Sequence, residues 1–529
     1  MKIRNCSYFI ILVVVLFIFS CRKEGAPWWD ADFSGPIAKT TINIQNLFPD
    51  STIIVQPDSS LSVVFDETIF DFKIDSLISI PDTTLDTAYV SPLGGYSFQP
   101  GDQIFTTPPN ESYLNIAGVQ LRQLILKKGL IKLELISSVT EPVVFKYDLL
   151  KSDLNGIPFS IVEEVPGSGS VTKFYTIDGL NLDLTGSLGN HFNTIITKNT
   201  LTISNTANPG VINFGQGIII KITFMDIIPF YAKGYLGHQV YNVGPESVQS
   251  SFLKGIKADY FSLEDATVNL KITNGLGADI QANNVILQSV NNTNANLISL
   301  SGSGVNSSYN LNRAVFQTLT PQPVIPTVKS FLMNSSNSNI KAFIENLPDQ
   351  LNYSSNISVN PLGNVSGNND FVYYGYGLKT EMKLEVPFAF SASNLRFRDT
   401  TDIDFSGTEM NNINSALLSL RVSNGYPFSA NIQGYLCDEN FNILDSLFAA
   451  PNLVSSATVD ANYLVNNSVL SVLSCDMNAQ KLDKLKMSDK IIFSVKLNTV
   501  ASPQIVKILD SYRMDLVLTG DINYSVNKK

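Results

Sequence analysis

From about residue 40 onward, apolar and polar residues alternate with a period of two. Thr41-Ile42-Asn43-Ile44, Ser62-Val63-Val64-Phe65 and Lys221-Ile222-Thr223-Phe224 show the pattern, and Gly-, Asn- and Pro-rich breaks separate such runs. Period two places alternate side chains on opposite faces of a strand. Many short strands with frequent turn signals predict sandwiches or barrels rather than a βαβ sheet. Phe371 to Phe405 reads as two long strands, with Lys379 to Val386 alternating before Pro387. Helical spacing is confined to Asn339–Leu347, stopped by Pro348, and to Ala479–Met487. The expected fold class is all-β: tandem antiparallel β-sandwich domains forming an elongated molecule, with few short helices.

One unit recurs. Leu270-Lys271-Ile272-Thr273-Asn274-Gly275 leads into Leu276-Gly277-Ala278-Asp279-Ile280, and Leu420-Arg421-Val422-Ser423-Asn424-Gly425 leads into Tyr426-Pro427-Phe428-Ser429-Ala430-Asn431-Ile432. Each sets an alternating strand before Asn-Gly, which supplies the positive φ angles of a tight turn at low steric cost. Leu133-Glu134-Leu135-Ile136-Ser137-Ser138, resuming at Pro142-Val143-Val144-Phe145, reads as a degenerate third copy. The spacing is that of domains, not of a solenoid. These units resemble the β-sandwich modules of late-embryogenesis-abundant and related proteins. The expected division is 1–20 signal peptide, 21–40 lipidated tether, 41–115 N-terminal β region, and sandwiches at 116–260, 261–400 and 401–529.

The beginning of the chain follows another logic. Lys2 and Arg4 precede Tyr8–Phe19, an apolar run of about 12 residues. A spanning helix needs about 20, so the run fits the hydrophobic segment of a signal peptide. Ile18-Phe19-Ser20-Cys21 resembles the bacterial lipobox, although Phe19 is bulkier than that motif usually carries. The resemblance implies cleavage before Cys21 and its acylation, with the lipid bilayer as a partner; two or more acyl chains give stable anchoring. Arg22, rather than Asp, follows the cysteine, which favours the outer membrane. Arg22-Lys23-Glu24-Gly25 lacks the acidic run of surface-exported Bacteroidota lipoproteins, so the periplasmic face is preferred over the cell surface. Together with Trp29-Asp30-Ala31-Asp32, the chain is similar to uncharacterised lipoproteins of the Bacteroidota. Asp-Ser/Thr pairs such as Asp86-Thr87 and Asp445-Ser446 look like O-glycosylation acceptors of those envelopes, and equally like ordinary turns. Trp28 and Trp29, both tryptophans of the protein, suit either the bilayer interface or a domain core.

Composition narrows the function. Loss of residues 1–20 removes Lys2 and Arg4 and no acid, taking the net charge from −10 to −12. Nucleic-acid binding needs a basic footprint, so no nucleic acid is expected. With 44% hydrophobic and 16% charged residues the chain can bury a core. Beyond Cys21 only Cys437 and Cys475 remain; an oxidising compartment permits a disulfide between them, and two buried free thiols fit equally well.

Candidate chemistry is sparse. His191 and His238, the two histidines, sit in loop-like sequence, and no Zn, P-loop or nucleophile-elbow motif occurs. Asp30-Ala31-Asp32-Phe33-Ser34-Gly35 and Asp402-Ile403-Asp404-Phe405-Ser406-Gly407 begin like calcium loops, but the twelfth position is Thr41 or Ile413 instead of Glu. No catalytic residue, metal or cofactor is therefore expected. The chain is expected to be a non-enzymatic envelope lipoprotein that binds or scaffolds envelope proteins or glycans. The rivals are a glycan-binding accessory lipoprotein, with Tyr373, Tyr374 and Tyr376 as contacts, an elongated lipid-binding β protein, and a hydrolase whose carboxylates converge only in the fold.

Overall fold

The computed structural model describes residues 28–43, 53–73, 78, 80–249, 257–317, 323–402, 412–450 and 452–527. The protein is all-β, with 63% strand against 3% helix, and its paired strands run antiparallel. It divides into two compact units, one drawn from the stretches up to Val64, 253–265 and 386 onward, the other from 65–252 and 266–385.

Strand pairing resolves three sandwiches with one topology. In the first, Gln120–Ser137 lies between Gly217–Tyr235 and Ser170–Thr176, and Thr83–Val90 adds to Gly217–Tyr235. In the second, Thr267–Asn274 lies between Leu378–Pro387 and Thr327–Met333, and Leu61–Phe72 adds to Leu378–Pro387. In the third, Ile413–Asn424 lies between Met514–Asn527 and Val469–Met477, and Trp28–Ile42 adds to Met514–Asn527. The facing sheets centre on Val143–Leu154 beside Thr194–Ile203, on Ile280–Asn291 beside Gln350–Val359, and on Phe428–Cys437 beside Lys490–Thr499. The first two sandwiches belong to one unit and the third to the other.

The connectivity is nested. The chain places Trp28–Ile42 in the third sandwich, Leu61–Phe72 in the second and Thr83–Val90 in the first. It then completes the first, second and third in turn. Trp28–Ile42, expected as far as residue 40 to belong to a tether, is a strand along its whole length, paired from Trp28↔Asn527 to Ile42↔Met514. Cys21 and the expected signal segment before it lie outside the described residues.

The recurring unit forms the corner where the chain passes from one sheet to the other. Asn424, fully buried, donates from Nδ2 to the carbonyls of Phe428 (2.8 Å) and Ser455 (2.9 Å), while its Oδ1 accepts from the Tyr426 N–H at 2.9 Å. Asn274 repeats this with Ala278 O (3.1 Å), Asn312 O (2.8 Å) and Leu276 N–H (3.0 Å). At the degenerate copy Ser137 Oγ accepts from the Val139 N–H at 3.2 Å. The next N–H donates across the sheet in every case: Ser138 to Gly217 O, Gly275 to Gly377 O and Gly425 to Arg513 O. This differs from the tight hairpin expected of Asn-Gly, because the flanking strands belong to different sheets. Neither glycine has positive φ. Glycine is needed for close approach instead, since a Cβ on Gly425 would stand 2.7 Å from the Arg513 carbonyl oxygen.

Both expected helices form, α1 (Ile340–Glu345) and α2 (Ala479–Lys486), at equivalent places in the second and third sandwiches. Asn478 caps α2 by accepting from the Lys481 N–H. In the third sandwich Ala416, Cys475 and Met477 of one sheet pack on Leu436 and Ile491 of the other and on Leu482 and Leu485 of α2. Phe371 to Phe405 gives four described strands rather than two, broken at Gly375-Tyr376-Gly377, at Phe388 and at Asn394, which has positive φ.

Candidate functional site

The outer face of the first sandwich carries two rows of side chains in cross-strand register. One row runs Phe371, Lys233, Gln123, Asp183; the next runs Tyr373, Tyr231, Ile125, Asn181. Directly opposed residues on paired strands project from the same face, so the eight share one surface. The outer position follows from burial, because Leu121, Leu124 and Leu126 of the same strand fill the core.

The two ends of this face differ. At the aromatic end, Tyr231 and Phe371 are buried with Ala314 and Val324 of the second sandwich, and Tyr373 and Tyr376 pack against them. Ring centroids stand 5.4 Å apart for Tyr231 and Tyr373 and 5.7 Å for Phe316 and Phe371. Burial, and then the neighbouring Tyr373, pushes the Tyr231 phenol above its ordinary pKa. At the polar end a cleft of about 390 Å3 is lined by Arg122, Gln123, Asn181, Asp183, Thr185 and Lys233. Gln123 Nε2 donates to Asn181 Oδ1 at 3.0 Å, and Asn181 Nδ2 to Asp153 Oδ2 at 2.9 Å. Asp183 Oδ1 accepts from the Thr185 N–H and hydroxyl at 2.8 and 2.5 Å. Arg122 is exposed and Lys233 half-buried.

The tyrosines singled out in the sequence do not form one platform. Tyr373 and Tyr376 meet edge to face at 6.3 Å within the aromatic cluster. Tyr374 points the other way and is 40% exposed, but the Lys127 ammonium lies 3.2 Å above its ring centroid. Sequence reasoning missed the cleft residues, which come from three strands far apart in the chain. The available hint was local: Arg122-Gln123 sets two polar residues side by side inside an otherwise alternating strand.

The remaining candidates are dispersed. His191 Nδ1 pairs with Glu111 Oε2 at 2.9 Å, and Ser187 donates both its hydroxyl and its N–H to Glu111 Oε1. A carboxylate in the middle of such a set cannot relay a serine proton to histidine, the order that nucleophilic hydrolysis requires. The Ser187 donors and His191 hold the Glu111 carboxyl below its ordinary pKa. His238 Nδ1 bonds the Asn360 carbonyl at 2.9 Å. Asp30 and Asp32 lie on a strand and accept from Asn414 and Ser525, and from Asn523, so they form no cation loop. Asp402 ion-pairs with Lys490 at 2.5 Å, and residues 403–411 lie outside the described residues. Cys437 and Cys475 are buried thiols, not joined in a disulfide, on the two facing sheets of the third sandwich, and burial raises the Cys475 pKa.

The class defined so far is an all-β, sandwich-like protein with a polar cleft on a sheet face. No family model and no curated protein matches the chain. Among solved structures it is similar to a Parabacteroides distasonis protein described as secreted, at 14% identity over 54% of this chain and 89% of that one, with a TM-score of 0.25. It is also similar to a chain of the triple jelly roll and turret assembly of an archaeal virus (11% identity, 82% and 90% covered, TM-score 0.11). A chain of the T13 IBDV particle is similar at 8% identity, with 91% and 82% covered and a TM-score of 0.14.

Proposed function

We propose that the chain is a lipid-anchored envelope protein that binds a hydroxyl-rich ligand, a glycan, without chemical turnover. The observation that carries this reading is the cross-strand row Lys233, Gln123, Asp183 with Asn181 beside it. Its groups are hydrogen-bond donors and acceptors fixed on strands, the arrangement that orients a small polar ligand. The apolar cavity described within the second sandwich, at about 40 Å3, is too small for an acyl chain and lends the lipid-binding alternative no support. The lipobox at Cys21 supports anchoring at the outer membrane, with the periplasmic face preferred. Envelope proteins remain partners of a scaffold reading, supported by the same anchoring.

Two measurements test the proposal. Cys21→Ala should move the protein from the membrane to the soluble fraction; an unchanged distribution would overturn the anchor. The mature chain applied to an array of neutral and acidic envelope glycans should bind a subset, and binding to none would overturn the ligand class.

A further inference from the structure

From the charge of the same cleft, and resting on the glycan reading, we infer that the ligand is an acidic saccharide, whose carboxylate or sulfate sits between Arg122 and Lys233. The chain as a whole is acidic, at −10. Yet the cleft holds two cations and a single carboxylate, and Asp183 already accepts twice from Thr185. Among the described residues, neither Arg122 nor Lys233 has an ion-pair partner in the protein. Two other half-buried ammonium groups of these sandwiches are compensated, Lys132 by Glu134 at 3.0 Å and Lys379 by Glu381 at 2.6 Å.

Withdrawing a cation from water without a counter-charge is costly, so a ligand that brings an anion gains more here than a neutral one. The guanidinium of Arg122 presents a planar fork suited to two oxygens, and the Lys233 ammonium a point charge. Gln123 keeps its Oε1 acceptor and Asn181 a second amide proton, groups that suit sugar hydroxyls. The volume lies in the range of small-ligand sites, about 300–1,000 Å3, which favours a terminal sugar over a polymer surface. Thr185 and Asp183 close the side opposite Lys233.

The test is calorimetric titration of the mature protein with oligogalacturonides, sulfated chondroitin oligosaccharides and neutral malto-oligosaccharides. The expected result is binding of one or both acidic ligands, weakened by added salt, and none of the neutral one. Binding confined to the first identifies a uronate carboxylate, and binding confined to the second a sulfate ester. Arg122→Gln and Lys233→Gln should each weaken the acidic ligand at least about tenfold, the loss of one charge-assisted hydrogen bond, with the thermal melt unchanged. Equal binding of neutral and acidic ligands, or full affinity in both variants, would overturn the inference and leave the glycan reading standing. Binding of none of the three here and of nothing on the array would overturn both.

Discussion

Replacing Asn424 by Ala removes one side chain and three hydrogen bonds from the corner of the third sandwich. The carbonyls of Phe428 and Ser455 and the N–H of Tyr426 then lose their partner. The corner is fully buried at Asn424, and a buried polar group left unpaired costs about 1–3 kcal/mol. Three such groups, partly relieved by relaxation, give an expected loss of about 3–5 kcal/mol. At a urea slope of about 2 kcal/mol/M this moves the midpoint of the third sandwich down by roughly 2 M. The molecule provides its own reporter, because Cys437 and Cys475 are the only cysteines beyond position 21 and both are buried there. Their reaction with Ellman's reagent along a urea series reads this sandwich alone. Asn274→Ala makes the same lesion in the other unit and should leave that midpoint in place. A shift below about 0.5 M for Asn424→Ala, or an equal shift for Asn274→Ala, would refute the reasoning.

Two further predictions concern charge. Asp370, whose side chain is 1% exposed, accepts from the Leu236 N–H (3.1 Å) and Asn360 Nδ2 (2.7 Å) and faces Arg313 at 3.5 Å. Arg313→Met should therefore cost about 3 kcal/mol, within the range for breaking a buried pair; amide exchange of 231–237 and 370–373 should accelerate, and unchanged protection would count against it. Glu111 has a folded pKa below its unfolded one, held there by Ser187 and then His191. Its contribution is complete above the ordinary carboxylate range and is lost as pH falls through the folded value. Exchange in residues 185–193, corrected for intrinsic rates, should thus rise on acidification and be raised at neutral pH in Glu111→Gln; a pH-independent profile in the wild type would contradict this.

The sequence made some levels of this structure legible and hid others. Period-two alternation reports which face of a strand is buried, so Leu270-Lys271-Ile272 and Leu420-Arg421-Val422 announced strands directly. The two Asn-Gly units marked equivalent corners, because the buried Asn satisfies the same three kinds of partner in both, and Ser137 stands at the third. Alternation says nothing about which strand will be the neighbour. Trp28–Ile42 pairs with a strand almost 500 residues away, and no local signal could assign it to the third sandwich. The cleft was hidden for the same reason, since Gln123, Asp183 and Lys233 meet only through pairing. Tyr373, Tyr374 and Tyr376 drew attention by density alone, whereas the faces of Tyr373 and Tyr374 follow from the pairing of Asp370–Tyr373 with Gly217–Tyr235.

The nested order of the three sandwiches has a consequence in time. A chain emerging from its N-terminus delivers Trp28–Ile42 first, but the strand it pairs with, Met514–Asn527, comes last. The first sandwich draws all but one of its strands, Asp370–Tyr373, from one stretch, so most of it can close early. The second waits for Leu378–Pro387, and the third for the final residues. Until then the leading strand has no partner, and unpaired edges invite association with other chains. Asp30, Asp32, Pro36 and Lys39 interrupt that strand with charge and a missing N–H, the composition that keeps a waiting edge from pairing prematurely.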